Sequence, residues 1–429
     1  MKDSIVVVGL NEINFDYIKA YIERGELPFF KRLLAKNKLI ETVSEDKHQL
    51  LEPWIQWVSI QTGKTYEEHK VFRLGDITER KDLGQIFEEV EKKGRTVGAI
   101  SPFNADNRLQ NPAFFIPDPW TETSTAGSWV LKGLSKAVSQ AVNNNAKSKV
   151  SAKSVLSILF SLLLHVPASR MIKQYPRLLL NRNKAGAKAI ILDSLLSDTF
   201  IKLLERKESN FSWLLLNSGA HIQHHYLFNS EVYQGVLKNP AWYCEEGHDP
   251  LLTILQEYDG TLSRIDGLGA KLIVLTGLHQ KPHECVTFYW RLNEHRAFMK
   301  RIGIDNFTKL LPRMSRDFLI EFDTEDDTKK AERILGFLRS TNDGVNIFTV
   351  DNRGKSIFVE MTYPNDIDDA FSIVSDSIGT VKAFKTYISF VAIKNGEHTG
   401  IGYVTSNFDL QLADSIALVK MYDKILDIA

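Results

Sequence analysis

The fold turns on Ser4–Asn37, which reads "SIVVVGLNE" and then, after one isoleucine, "NFDYIKAYIERGELPFFKRLLAKN". The first segment is a β-branched apolar run that breaks into polar residues at Asn11 and Glu12. The second spaces its apolar side chains at helical intervals, so together they read as strand, loop and helix. The loop after the first strand is where α/β folds place chemistry, which makes Asn11 and Glu12 candidates. A glutamate there could equally cap the following helix.

The same unit recurs. "DLGQIFEEVEKKG" precedes "TVGAI", "LSDTFIKLLERK" precedes "SWLLLN", and "LLTILQEYDGTLSRIDGLG" precedes "KLIVLTG". Helices alternating with short, almost wholly apolar strands predict an α/β fold, a mainly parallel sheet with helices on both faces. The 429 residues suffice for one large domain with insertions. Two segments interrupt the alternation. The expected organisation is an α/β core at 1–120, 189–314 and 381–429, a basic helical insertion at 121–188 and a small α+β lobe at 315–380. In the lobe "RDFLIEF" reads as a strand, "TEDDTKKAERILGFLRS" as a helix with Thr324 as N-cap, and "NIFTVDN" with "SIFVEMTY" as a hairpin.

Hydrophobic residues make up 43% and charged residues 25% of the chain, which excludes disordered and fibrous classes. Lys+Arg and Asp+Glu balance at 53 each, so no nucleic-acid partner is expected. The charges are unevenly spread, however. Between Thr123 and Leu192 there is no Asp or Glu, while the segment carries eleven Lys and Arg, among them Lys147, Lys149 and Lys153. Such a block suits an anionic partner, whether a lipid headgroup, a phosphorylated small molecule or a glycan, or forms a solvated helical hairpin. Within it, "VLSILFSLLLHV" (Val155–Val166) falls short of the roughly 20 residues of a membrane span. It suits a membrane interface or a buried helix. Cys244 and Cys285, with no CxxC, support neither a disulfide framework nor a cysteine-ligated zinc site. The opening "MKDSIVVVGL" lacks a secretory h-region, so a cytoplasmic location is expected, peripheral to the inner face of the membrane through the basic insertion.

His221, His224 and His225 stand in "LLLNSGAHIQHHYLF", directly after an apolar run. Spacings of three and four put imidazoles on neighbouring faces of a helix, a ligand geometry. His398 in "IKNGEHTGIGYV" reads as a glycine-flanked turn, and His279 and His283 in "VLTGLHQKPHE" again follow a strand. Histidines at three strand ends favour one shared cleft. With Glu12, and with Glu52 at the head of "EPWIQWVSIQTGK", they supply the donors of a divalent-cation site acting on a phosphoryl or sulfuryl ester.

The order of these pieces resembles the alkaline phosphatase superfamily, in particular its phosphodiesterase and nucleotide pyrophosphatase branch. "VVVGLNEINF" and "RGELPFFKRL" match that family's opening strand and its G-x-LP phrase, and "EPWIQWVSIQTGKTYEEHK" matches its nucleophile segment. "LLLNSGAHIQHH", "LIVLTGLHQ" and "NGEHTG" follow in the order of its later metal-binding phrases. The resemblance spans most of the chain outside the two insertions. It implies a metal-dependent phosphoric-ester hydrolase or phosphoryl-group transferase, with an anionic, lipid-linked or surface-glycan-related substrate. By position it gives the metal to His224 and His398, assisted by His221 and Glu12, and the substrate to Asn11, Trp54 and His279. The hydroxyl nucleophile's place falls on Pro53, so Glu52 is the reactive side chain left there for catalysis. Asn11, Ala220, Gly277 and Leu278 stand where the family keeps acidic residues and an Asp-His pair, which implies one divalent ion, zinc or manganese, and not two. The missing hydroxyl opens a second reading, a non-catalytic relative that binds substrate or partners in glycan assembly. A third sets Glu12 and Glu52 as an acid/base pair on a glycosidic bond.

Overall fold

The first apolar run forms strand β1 (Ile5–Leu10), with every residue buried. The computed structural model describes residues 3–45, 47–143, 151–313 and 316–429. Helix α1 (Phe15–Glu23) follows, capped by Asn14, whose side chain accepts from the Asp16 N–H. Asn14 therefore takes the capping role that Glu12 could have filled. Helix α2 (Pro28–Lys36), β2 (Ile40–Val43) and helix α3 (Pro53–Thr62) complete the opening, and α3 ends at Gly63 in the left-handed conformation, as "TG" predicts.

Four further apolar runs become β3 (Val97–Ile100), β4 (Phe114–Ile116), β5 (Phe211–Leu216) and β6 (Lys271–Leu275). They lie in one eight-stranded sheet of order Ser415–Ala417, β2, Ile401–Ser406, β6, β1, β5, β3, β4. Only Ile401–Ser406 runs antiparallel to its neighbours, β2 and β6. Along β1 the side chains split by the period of two: Val6, Val8 and Leu10 join one apolar layer, Ile5 and Val7 the other. The sheet is thus mainly parallel and covered on both faces.

The chain divides into two compact units, one of Met1–Val236, Pro240–Pro282 and Gly396–Ala429, the other of Leu237–Asn239 and His283–Asn395. The first contains the large sheet and the basic segment, which forms helices Trp129–Asn143, Ala152–His165 and Ala168–Leu180 and runs on into Ala187–Glu205. Leu131, Leu134, Val138, Tyr175 and Leu178 from these helices belong to the same apolar layer as Val6 and Val8, so the segment is built onto the core. Lys147 and Lys149 lie outside the described residues.

In the second unit the expected elements form: Asp317–Glu321 as a strand, Glu325–Gly336 as a helix whose N-cap Thr324 accepts from the Asp327 N–H, and the hairpin of Phe348–Asn352 with Ser356–Met361. The unit reaches beyond 315–380. Lys309–Pro312 pairs with Asp317–Glu321, and Phe298 packs its ring against Phe348 and Phe384.

Candidate metal centre

Glu12 leaves β1 with φ 59°, in the left-handed region that a non-glycine residue enters at a cost of about 1 kcal/mol or more. Its backbone is tied on both sides. The N–H donates to Thr276 O at 3.0 Å, and the carbonyl accepts from Gln280 N–H at 3.2 Å and from Gln223 Nε2 at 2.7 Å. This over-determined turn holds a buried carboxylate beside two imidazoles. Glu12 Oε2 lies 2.9 Å from His224 Nε2 and 3.0 Å from His398 Nε2, and the two nitrogens are 3.1 Å apart. Among the described residues, these three form the group of His and acidic side chains able to hold a metal ion.

Each imidazole is oriented from behind. His224, on the helix Ser218–Tyr226, sets Nδ1 3.2 Å from the Gly396 carbonyl. His398, on the strand Ile388–Thr399, faces Glu52 Oε2 with Nδ1 at 3.7 Å and bonds the Leu51 backbone. Acceptors behind the rings favour the proton on Nδ1 and leave Nε2 free to face Glu12, the tautomer a metal ligand needs. Burial pushes the Glu12 carboxyl up, but the His398 and His224 imidazoles outweigh it and hold it well below the usual carboxylate range. Burial pushes His398 down, and Glu12, with Glu52 behind, reverses that to a net rise.

A frame of amides surrounds the carboxylate. Asn11 Nδ2 donates to Glu12 Oε1 at 2.9 Å and to Asn217 Oδ1 at 2.7 Å, while Asn11 Oδ1 accepts from Trp57 Nε1 at 2.6 Å. Gln280 Nε2 donates to Glu12 Oε2 and to Ala220 O, and Gln280 Oε1 is buried without a partner. Two glycines make the room. A Cβ on Gly9 would stand 2.6 Å from the Trp57 ring, and one on Gly396 would stand 2.1 Å from Gln280 Oε1. The His224 helix is anchored at its start by buried Asp193, which accepts from Ser218 N–H at 2.9 Å and Tyr258 OH at 2.6 Å. The Tyr258 oxygen accepts in turn from Gly219 N–H at 2.8 Å.

Of the sequence-predicted residues, Glu12, His224 and His398 converge, and Asn11 bonds the carboxylate. Glu52 is the N-cap of α3 and stands behind His398, outside the group of three. His221 is not a member of that group; its ring lies 4.8 Å from that of His225. His279 stacks on Tyr403 at 5.2 Å, with Thr399 Oγ1 3.4 Å away. As expected it follows the end of a strand, β6, and it also opens the next one, His279–Leu292. His398 lies in a twelve-residue strand instead of sitting in a turn, which Gly400 makes two positions later. Trp54 donates its indole N–H to Phe72 O at 2.9 Å, and Trp57 is the tryptophan that reaches the amide frame. Asn217, Gln223, Gln280 and Asp193 escaped the sequence reading. Asn217 alone left a signal, since it directly follows β5 as Asn11 follows β1.

The chain is similar to solved structures of the alkaline phosphatase superfamily. One is phosphonoacetate hydrolase from Sinorhizobium meliloti 1021 in complex with phosphonoformate, 12% identical over 99% of this chain and 95% of that one, with a TM-score of 0.43. Another is an inactive murine ectonucleotide pyrophosphatase/phosphodiesterase 5 in complex with AMP, 10% identical over 99% and 94%, with a TM-score of 0.45. A mutant alkaline phosphatase PafA is 12% identical over 100% and 95%, with a TM-score of 0.46. No protein-family model and no curated protein matches the sequence. At such identities and TM-scores these likenesses assign no activity and no residue role to this chain.

The donor set fits a divalent cation on its own chemistry. One carboxylate oxygen and two imidazole nitrogens are the His2Glu set of open catalytic zinc sites, and borderline cations share it. The unpartnered Gln280 oxygen lies on the amide that holds Glu12, one more oxygen beside the group.

Proposed function

We propose that this chain is a metal-dependent phosphoric-ester hydrolase or phosphoryl-group transferase with a single divalent ion, zinc or manganese, held by Glu12, His224 and His398. The observation that carries this reading is the convergence of three ligand atoms from residues 12, 224 and 398 within 3.1 Å, with both Nδ1 atoms turned away from the centre. The order of sequence motifs supports the phosphoryl branch. An ion in this set supplies Lewis acidity and lowers the pKa of a bound water.

The residues divide the remaining work. Asn11 and Gln280 fix the Glu12 carboxylate by N–H donation, so that it presents Oε2 to both imidazoles. Asn11, Ala220, Gly277 and Leu278 offer no anionic or imidazole ligand to a second cation, which supports a single ion. Glu52, with about a third of its side chain exposed, faces Nδ1 of His398 and is assigned the orientation of that imidazole, while Pro53 beside it offers no hydroxyl for a covalent intermediate, so the attack proposed is by water. Glu12 is held ionised, so it is unsuited to the protonated role a glycosidase pair requires. The proposed substrate is an anionic ester, lipid-linked or glycan-related, attracted by the basic segment.

Metal analysis of the purified protein, beside hydrolysis of bis-p-nitrophenyl phosphate and p-nitrophenyl phosphate after chelation and readdition of zinc or manganese, tests this. The expected result is about one bound ion per chain, as one His2Glu group allows, with activity that returns on readdition. Glu52→Gln should weaken metal affinity or activity by about ten- to a hundredfold. His398→Ala should lose the metal itself. Absence of both bound metal and turnover would leave the non-catalytic binding reading in place.

A further inference from the structure

The helix Ala152–His165 packs Ile158 and Leu162 against the core yet carries a second, wider apolar face outward. Its buried positions are Ser154, Ser161 and His165, while Val155, Leu156, Leu159, Phe160, Leu163 and Leu164 are exposed, Leu163 at 72%. Those six recur at intervals that place them on one face. The polar side is locked inward. Ser161 Oγ lies 3.0 Å from His165 Nδ1 and 3.4 Å from Thr199 Oγ1, and Ser151 caps the helix by accepting from Ser154 N–H. Turning the leucines inward would strand or expel these groups, so the outward face is a feature of the fold.

The apolar face is wider than one helix. Trp129, 66% exposed, meets the Phe160 ring edge-on at 5.3 Å. The following helix, Ala168–Leu180, exposes Ile172 at 73% and Leu180 at 83%. Basic side chains share these helices. Lys153, Lys173 and Arg177 are exposed, and no Asp or Glu occurs between Thr123 and Leu192 to offset them.

We infer that this face docks on the surface of an anionic lipid bilayer, its leucines, phenylalanine and tryptophan in the interfacial layer and its lysines and arginine on headgroup phosphates. The charge decides the occupant. A second copy of the chain would oppose like charges across the contact, whereas an anionic surface complements them. The Ala152–His165 helix has 14 residues and is about 21 Å long, which suits lying in the interface and not crossing a core of about 30 Å. No helix among the described residues is long and apolar enough to cross a membrane. This docking does not depend on the metal centre, none of whose residues lies on these helices.

Flotation of the full chain with phosphatidylcholine vesicles, with and without phosphatidylglycerol, tests it. The protein should float with the anionic vesicles, be released as salt rises, and stay behind with phosphatidylcholine alone. Leu163→Ser with Leu180→Ser, and separately Lys153→Glu with Lys173→Glu and Arg177→Glu, should each weaken binding about tenfold or more. Circular dichroism and metal content should be unchanged in both. Failure of the wild type to float with anionic vesicles overturns the inference, as does wild-type binding by both variants. Light scattering that shows a dimer, dissolved by the two serine substitutions, would give the face to a second copy instead.

Discussion

Glu12 stands in a left-handed backbone conformation with its carboxylate between two imidazoles, and protonation there competes directly with a cation. Glu12 and Glu52 raise the His398 pKa, so its proton persists to a pH above the ordinary histidine value and must leave before Nε2 can ligate. Metal affinity should therefore fall as pH drops through the neutral range and level off only above the raised value. Titration of metal binding against pH checks this, and an affinity independent of pH between about 5 and 8 would exclude His398 as a ligand. The identities of Glu12, His224 and His398 as candidates were legible in the sequence. The ranking among histidines was not: nothing in the spacing of His221, His224 and His225 says which ring a strand 170 residues later will meet.

At the scale of elements, the helix Ser218–Tyr226 carries His224, and its start is set by a buried acid from another helix. Asp193 is the first acidic residue after the basic segment and serves the Ser218 N–H and the Tyr258 hydroxyl together. Asp193→Ala would leave both donors buried and unpaired, at a cost of about 2–4 kcal/mol. Asp193→Asn, whose one amide oxygen can accept from both donors as Oδ2 does, should cost less than that. Denaturant midpoints of the two variants check the order, and equal midpoints would remove the anchoring role. Helices and parallel strands were readable because their apolar periods are local. The strand Ile388–Thr399, which carries His398, reads as a turn in the sequence because glycine normally marks turns. Here Gly396 instead serves a close approach to Gln280, which no local pattern reveals.

For the whole molecule, a cation at this centre would tie together residues 12, 224 and 398, which only the folded chain brings within reach. Binding to the native state alone stabilises it by about 2.7 kcal/mol at a hundredfold excess over Kd. Chelation should lower the thermal midpoint of the wild type by a few degrees and leave His398→Ala unaffected. Identical responses of the two proteins to chelator would mean that the ion sits elsewhere. By itself the sequence determined the alternation of helices and apolar strands, the charge asymmetry of 123–192 and the polar breaks at strand ends, because each is written in neighbouring residues. Only the tertiary structure decided which histidines face Glu12, that amides from two strand ends close around it, and that Leu156, Leu159, Leu163 and Leu164 of Ala152–His165 point outward. Those outcomes depend on side chains far apart in sequence competing for the same buried space, and local pattern carries no record of that competition.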